Sequence, residues 1–129
     1  MKRVTGIGGI FFKSKDPEQL RDWYRKHLGI ESEKWGFTFS WQDDPKKDGG
    51  QTVWSIFAAD TKHFDPSNSS FMINFRVEDL EWLLTQLRAE GVDVDPKLDE
   101  SEFGKFGWIM DPEGNRIELW EPPASAEAS

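Results

Sequence analysis

Few side chains in this sequence suit chemistry, and those that do sit on short apolar segments. Glu118 lies in Arg116-Ile117-Glu118-Leu119-Trp120, between two apolar residues, so strand alternation turns it away from the apolar face. A carboxylate among aromatic rings can act as a general base, anchor a ligand or hold a metal, because poor hydration raises its proton affinity. The plainer alternative is an ion pair with Arg76 or Arg116. Asn74 and Arg76 alternate with Ile73, Phe75 and Val77 and share the face of Met72. There Arg76 can grip a carboxylate or phosphate bidentately, while its plainer role is pairing with Glu118. Trp41, Trp54 and Trp108, with Phe39, fall on segments of strand period. Such rings either pack a core or wall a pocket for a flat or cationic molecule. His63 reads as a solvated linker residue with at most a place at the cleft rim. His27, in the last turn of a helix, is structural.

Other chemistries are excluded or unsupported. The chain has 129 residues, enough for one domain, and carries no cysteine, which removes disulfides and thiolate metal sites. Asp plus Glu is 24 against 16 Lys plus Arg, a net charge of −8 that repels nucleic acid and anionic lipid alike. No apolar run approaches the roughly 20 residues of a membrane span, and no signal segment follows Met1-Lys2-Arg3, so a cytoplasmic location is expected. A phosphate-binding glycine loop, a His-Glu-x-x-His helix and a nucleophile elbow are all missing from the sequence. The acidic residues Asp93, Asp95, Asp99, Glu100 and Glu102 lack EF-hand spacing and form a solvated face.

The elements that must carry these residues follow from period and punctuation. Residues 7–14 form a strand. Asp16, Pro17 and Glu18 open a helix whose buried stripe is Leu20, Trp23, Tyr24 and Leu28, and Gly29 closes it. Trp35, Phe37, Phe39 and Trp41 recur every second residue and predict a strand over 35–42, paired through a polar loop with another over 51–58. In the second half Phe71, Ile73, Phe75 and Val77 form a strand. Asp79 caps a helix striped by Leu80, Leu83, Leu84 and Leu87, and Gly91 ends it. Strands near 92–96 and 105–110, a tight turn at Asp111-Pro112-Glu113-Gly114-Asn115 and a strand over 116–120 complete the chain. The two caps are 63 residues apart and the two closing glycines 62. Each half therefore reads strand–helix–strand–strand–strand, an internal duplication. Module one spans about 4–60, module two about 70–122, and residues 123–129 form a loose tail of the single domain.

Three stretches carry a resemblance to a known family. Gly6-Ile-Gly-Gly-Ile-Phe-Phe with Asp16-Pro17, Trp23-Tyr24 and Leu28-Gly29 is the first, and Phe75-Arg76-Val77-Glu78-Asp79-Leu80 the second. The third and most specific is Asp111-Pro-Glu-Gly-Asn-Arg-Ile-Glu-Leu-Trp-Glu-Pro122. Together they resemble the vicinal oxygen chelate superfamily of glyoxalase I, bleomycin- and fosfomycin-resistance proteins and extradiol dioxygenases. The resemblance implies an α+β fold of two tandem βαβββ modules, their curved mixed sheet wrapped around a cleft and the helices outside. It also implies a divalent metal held by side chains on four strands. Three of the matching positions here are Gly9, the Val53–Phe57 segment without carboxylate or imidazole, and Met72, a soft donor. Only Glu118 matches, and one carboxylate does not make a site that takes about three protein ligands.

The sequence thus points to a glyoxalase/bleomycin-resistance/dioxygenase-like protein that binds a small organic ligand in an aromatic cleft, without the usual metal. Glu118, Asn74, Arg76, Met72, Trp41, Trp54 and Trp108 are the candidate contacts. The alternative is a divalent-metal-dependent lyase, isomerase or dioxygenase using Glu118, its metal completed by His63, water and substrate. A third is a protein whose business is association, since the resemblance implies a homodimer.

Overall fold

The computed structural model describes residues 10, 12, 14–43, 45 and 57–123. Two helices lie on one side of a four-stranded mixed sheet. Helix α1, Pro17–Leu28, begins where the Asp16 carboxylate accepts from the Gln19 N–H. It ends at Gly29, whose φ of 70° lets the chain turn left-handed and return its N–H to the Arg25 carbonyl. Strand β1 is Ile73–Arg76 and helix α2 is Leu80–Ala89, capped by Asp79 accepting from the Trp82 N–H. Strands β2, Asp93–Ser101, β3, Gly104–Met110, and β4, Arg116–Glu121, follow. The sheet order is β1-β4-β3-β2, with β1 parallel to β4 and the other pairs antiparallel. The expected α+β class with a mixed sheet holds, and β1-α2-β2-β3-β4 is one complete βαβββ unit.

One face of this sheet is the core. Ile109, Ile117 and Leu119 pack with Leu80, Leu84 and Leu87 of α2 and with Leu20 and Tyr24 of α1. Each such side chain contributes about 1.5–3 kcal/mol by leaving water. Gly107 lies under α2, where a Cβ would stand 3.0 Å from a Leu84 methyl, so the absence of a side chain sets how closely the helix approaches. Tyr24 donates to the Asp111 carboxylate at 3.0 Å, and burial followed by that carboxylate pushes its phenol far above the ordinary value. The other Asp111 oxygen accepts from the backbone N–H groups of Glu113 and Asn115, both at 2.9 Å, which makes the expected tight turn. Glu113 then accepts from the Ser14 hydroxyl and the Lys15 and Asp16 N–H groups, tying the start of α1 to the turn. Those bonds, the Ser14 hydroxyl foremost, hold its carboxyl below the ordinary range. At the other helix ends, His27 Nδ1 meets the Glu90 carboxylate at 2.7 Å, so His27 joins α1 to α2.

Two expectations change. Residues 35–42 form no ladder among the described residues. Glu33 and Gly36 make one isolated bridge, and Trp41–Asp43 is a single 3-10 turn. Trp35 and Phe39 stand 71% and 65% exposed, so the two-residue period of rings marks no buried face here. Pairing, rather than alternation, makes a strand, and residues 51–56 of its expected partner over 51–58 lie outside the described residues, as do most of 7–14 and the tail from 124. The short strands near 92–96 and 105–110 are instead one long hairpin. The register shift between Val94 and Leu98 inserts extra residues that include Pro96. A bulge on an edge strand is where a sheet tolerates proline.

Candidate functional site

The strand register builds the site. On the face away from the helices, Asn74 of β1 pairs with Glu118 of β4, and Trp108 of β3 pairs with the same Glu118. Neighbours in register lie about 4.5–5.5 Å apart on one face, so an amide, a carboxylate and an indole stand side by side. All three bond. Asn74 Nδ2 donates to Glu118 Oε1 at 2.7 Å, and Trp108 Nε1 donates to Oε2 at 2.9 Å. A fourth group comes from outside the sheet, for His63 Nε2 lies 3.0 Å from Oε2. An ionised carboxylate only accepts, so that imidazole nitrogen donates too. Glu118 is thus a carboxylate with 9% of its surface exposed, held by three N–H donors, and Trp108 at 2% is the most deeply buried of them.

The next row of the same face carries Arg76, Trp120 and Phe106 in register. Trp120 and Phe106 lie near-parallel, 6.2 Å between centroids, and the Arg76 guanidinium sits 5.9 Å from the Trp120 ring and 6.0 Å from Trp41. On the other side of the Glu118 row stands Arg116. Its Nη1 reaches the Asp95 carboxylate at 3.1 Å, and its guanidinium lies 5.1 Å from the Trp108 ring centre. The β2 bulge supplies Asp95 and also Lys97, whose ammonium is 5.4 Å from the Trp108 ring. The backbone N–H of Lys97, then Arg116, keeps the Asp95 carboxyl below its usual range. A cation over an indole is worth about 0.5–2 kcal/mol and pins the ring plane.

The candidate residues therefore fall in three places. Glu118, Asn74 and Trp108 are one bonded row. Arg76 and Trp41 meet one row away, with Trp41 on the 3-10 turn rather than on a strand and half exposed. Met72 precedes β1 and is half-buried, and Trp54 lies outside the described residues. The ion pair of Glu118 with Arg76 or Arg116 gives way to His63, because Arg116 is drawn to Asp95 and Arg76 to two indole rings. His63, read from the sequence as a solvated linker residue with at most a place at the cleft rim, is part-buried against the row. It stacks on Phe57 with 5.3 Å between centroids and 1° between planes, and meets the Trp108 ring edge to face. The local trace of this in the sequence is Phe64 beside it and Phe57 six residues before it. Asp95, inside an acidic run expected to be solvated, is likewise committed to the site.

A divalent metal fits these residues poorly. The described residues contain no group of three His, Cys, Asp or Glu side chains suited to a metal. An amide N–H and an indole N–H point their hydrogens at the Glu118 oxygens that would have to bind the ion. Neither group can lose its proton to make room.

A family model described as a glyoxalase-like domain matches residues 9–120. None of the curated proteins compared matches the sequence. Among solved structures, the antibiotic binding protein TnmS3 from Streptomyces sp. CB03234 is similar over 95% of this chain and 100% of its own, at 19% identity and a TM-score of 0.61. The integron cassette protein VCH_CASS1 from V. cholerae is similar over 94% and 98%, at 14% identity and a TM-score of 0.56. At such identities these likenesses show a shared fold. A glyoxalase family protein from Enterococcus faecalis is 28% identical over 43% of this chain, with a TM-score of 0.37, and the match spans about half of that protein's length (51%). Among the described residues no helix is long and apolar enough to cross a membrane.

Proposed function

This chain belongs to the glyoxalase-like domain family, within the vicinal oxygen chelate superfamily, and from that premise we propose that it binds a small organic ligand on the helix-free face of its sheet, without a catalytic metal. The observation that carries the reading is the Glu118 carboxylate, bonded by Asn74, Trp108 and His63 on a face lined by Trp120, Phe106 and Trp41. Such a carboxylate organises its neighbours instead of reacting. It fixes the orientation of an amide, an indole and an imidazole at once, and a binding surface of rigid aromatic rings with few placed polar groups suits an organic molecule. The description of TnmS3 as antibiotic binding agrees with this reading, as does the shared fold. In it, Arg76 is the polar contact beside the row, Trp54 and Met72 complete the wall, and the modules at 4–60 and 70–122 enclose the cleft. A homodimer and a cytoplasmic location belong to the same proposal.

The test is a titration of chelator-treated protein with a panel of aromatic and cationic organic compounds, followed by tryptophan fluorescence and by melting temperature. Saturable quenching by some members of the panel is expected, unchanged by chelator and weakened at least tenfold by Trp54→Ala. No response in either readout across the panel, or a response that returns only with added metal, contradicts the reading.

A further inference from the structure

His63 is held on three sides. Phe57 lies parallel to its ring, the Trp108 ring meets it at 88°, and Nε2 is 3.0 Å from Glu118 Oε2. Its own backbone N–H donates to the Thr61 hydroxyl at 3.1 Å, which fixes the loop that carries it. Because the carboxylate can only accept, the hydrogen of the neutral imidazole resides on Nε2, and Nδ1 keeps a lone pair. The two nitrogens look out from opposite sides of the ring. With Nε2 turned down to the sheet, Nδ1 turns away from it, and 36% of the side chain is open to solvent. Among the described residues nothing bonds to Nδ1.

The Trp108 indole has no acceptor to offer, its one N–H going to Glu118, and the Asn74 amide turns an N–H to the same carboxylate. The imidazole is pre-positioned, so a donor on a ligand gains the bond without ordering a side chain. Phe57, 45% exposed and packed against Phe64 at 5.3 Å, supplies an apolar surface beside it. We propose that His63 Nδ1 is the hydrogen-bond acceptor that selects aromatic ligands carrying a hydroxyl or N–H donor, and that Glu118 is the positioning residue that fixes its tautomer. This rests on the ligand-binding reading of the same face. An acceptor left facing a group with no hydrogen loses its bond to water for nothing, which is the basis of discrimination against the matched ether.

The experiment compares 2-naphthol with 2-methoxynaphthalene, a pair differing by the donor hydrogen and one methyl group, binding to wild type and to His63→Phe. The phenylalanine keeps a flat ring against Phe57 and Trp108 and removes both nitrogens. Wild type is expected to favour the naphthol by about tenfold or more, a difference of about 1.4 kcal/mol per decade. In His63→Phe the preference for the naphthol over the ether should vanish, whatever change in affinity the two probes share. Equal binding of the two probes to wild type, or a preference that survives in His63→Phe, overturns the assignment of His63 and leaves the binding face standing. Failure of both probes to bind overturns the two together. Nitrogen-15 NMR of the neutral ring gives a readout free of ligand and variant: Nε2 protonated and Nδ1 bare is expected, and a hydrogen on Nδ1 overturns the proposal.

Discussion

Replacing Glu118 with leucine is expected to lower the stability of the domain by about 2–4 kcal/mol and to abolish ligand binding on the helix-free face. Three donors lose their acceptor at once. His63 can turn to water, and Asn74 in part, but the Trp108 indole N–H is in a side chain only 2% exposed and has nowhere to go. One buried donor left unpaired costs about 1–3 kcal/mol, and loss of the order imposed on its neighbours adds to it. Leucine fills most of the volume, so the loss measures the bonds and not a cavity. Glu118→Gln keeps an acceptor oxygen but must present an NH2 group to one of the donors, and is expected to cost about 1 kcal/mol while still disturbing the row. Urea denaturation of the three proteins reads this directly. A leucine variant within about 0.5 kcal/mol of wild type would make the row incidental.

The second large effect lies at the turn that delivers β3 to the row. Gly104 has φ of +115° and sits with its Cα against the Glu121 carbonyl, so that an added Cβ would overlap that oxygen and stand 3.0 Å from Trp120 Nε1. Backbone atoms in a sheet cannot step aside, so Gly104→Ala is expected to destabilise by about 3 kcal/mol or more, the sum of dihedral strain and overlap. Gly114→Ala is the control. Its φ is also positive, at +83°, but an added Cβ meets nothing within 4 Å, and its cost should stay near 1–2 kcal/mol, the backbone term alone. Equal losses in the two variants would show that the close approach of β3 and β4 at Gly104 is not tight in solution.

Why some of this is legible in the sequence and some is not follows from the range of the forces. Asp16, Pro17 and Gly29 define α1 because a cap acts within three residues of the helix end, and Asp79 defines the start of α2 for the same reason. Glu118 shows its face because Ile117 and Leu119 flank it and a strand has a period of two. The rings at 35, 37, 39 and 41 have that period as well and still make no ladder, since alternation records which face is apolar but not whether a neighbouring strand is there to pair. His63 is the deeper case. Its partner is 55 residues away, and no local pattern can report a contact of that span. The same holds for Asp95. In sequence it belongs to an acidic run, and only the bulge around Pro96 brings its carboxylate to Arg116. The chemistry of the site therefore depends on register between strands and on one residue from a linker, the two features that propensity and period record least.

The indole N–H of Trp108 reports most directly on what holds Glu118. Its resonance in a proton–nitrogen NMR spectrum should be far downfield, as for a donor to a carboxylate, and should stay fixed while Zn²⁺, Mn²⁺ or Ni²⁺ is added to several equivalents. A saturable change complete at one equivalent, and lost in Glu118→Gln, would mean that the carboxylate belongs to a metal and that the network of three donors is not the working state of the protein.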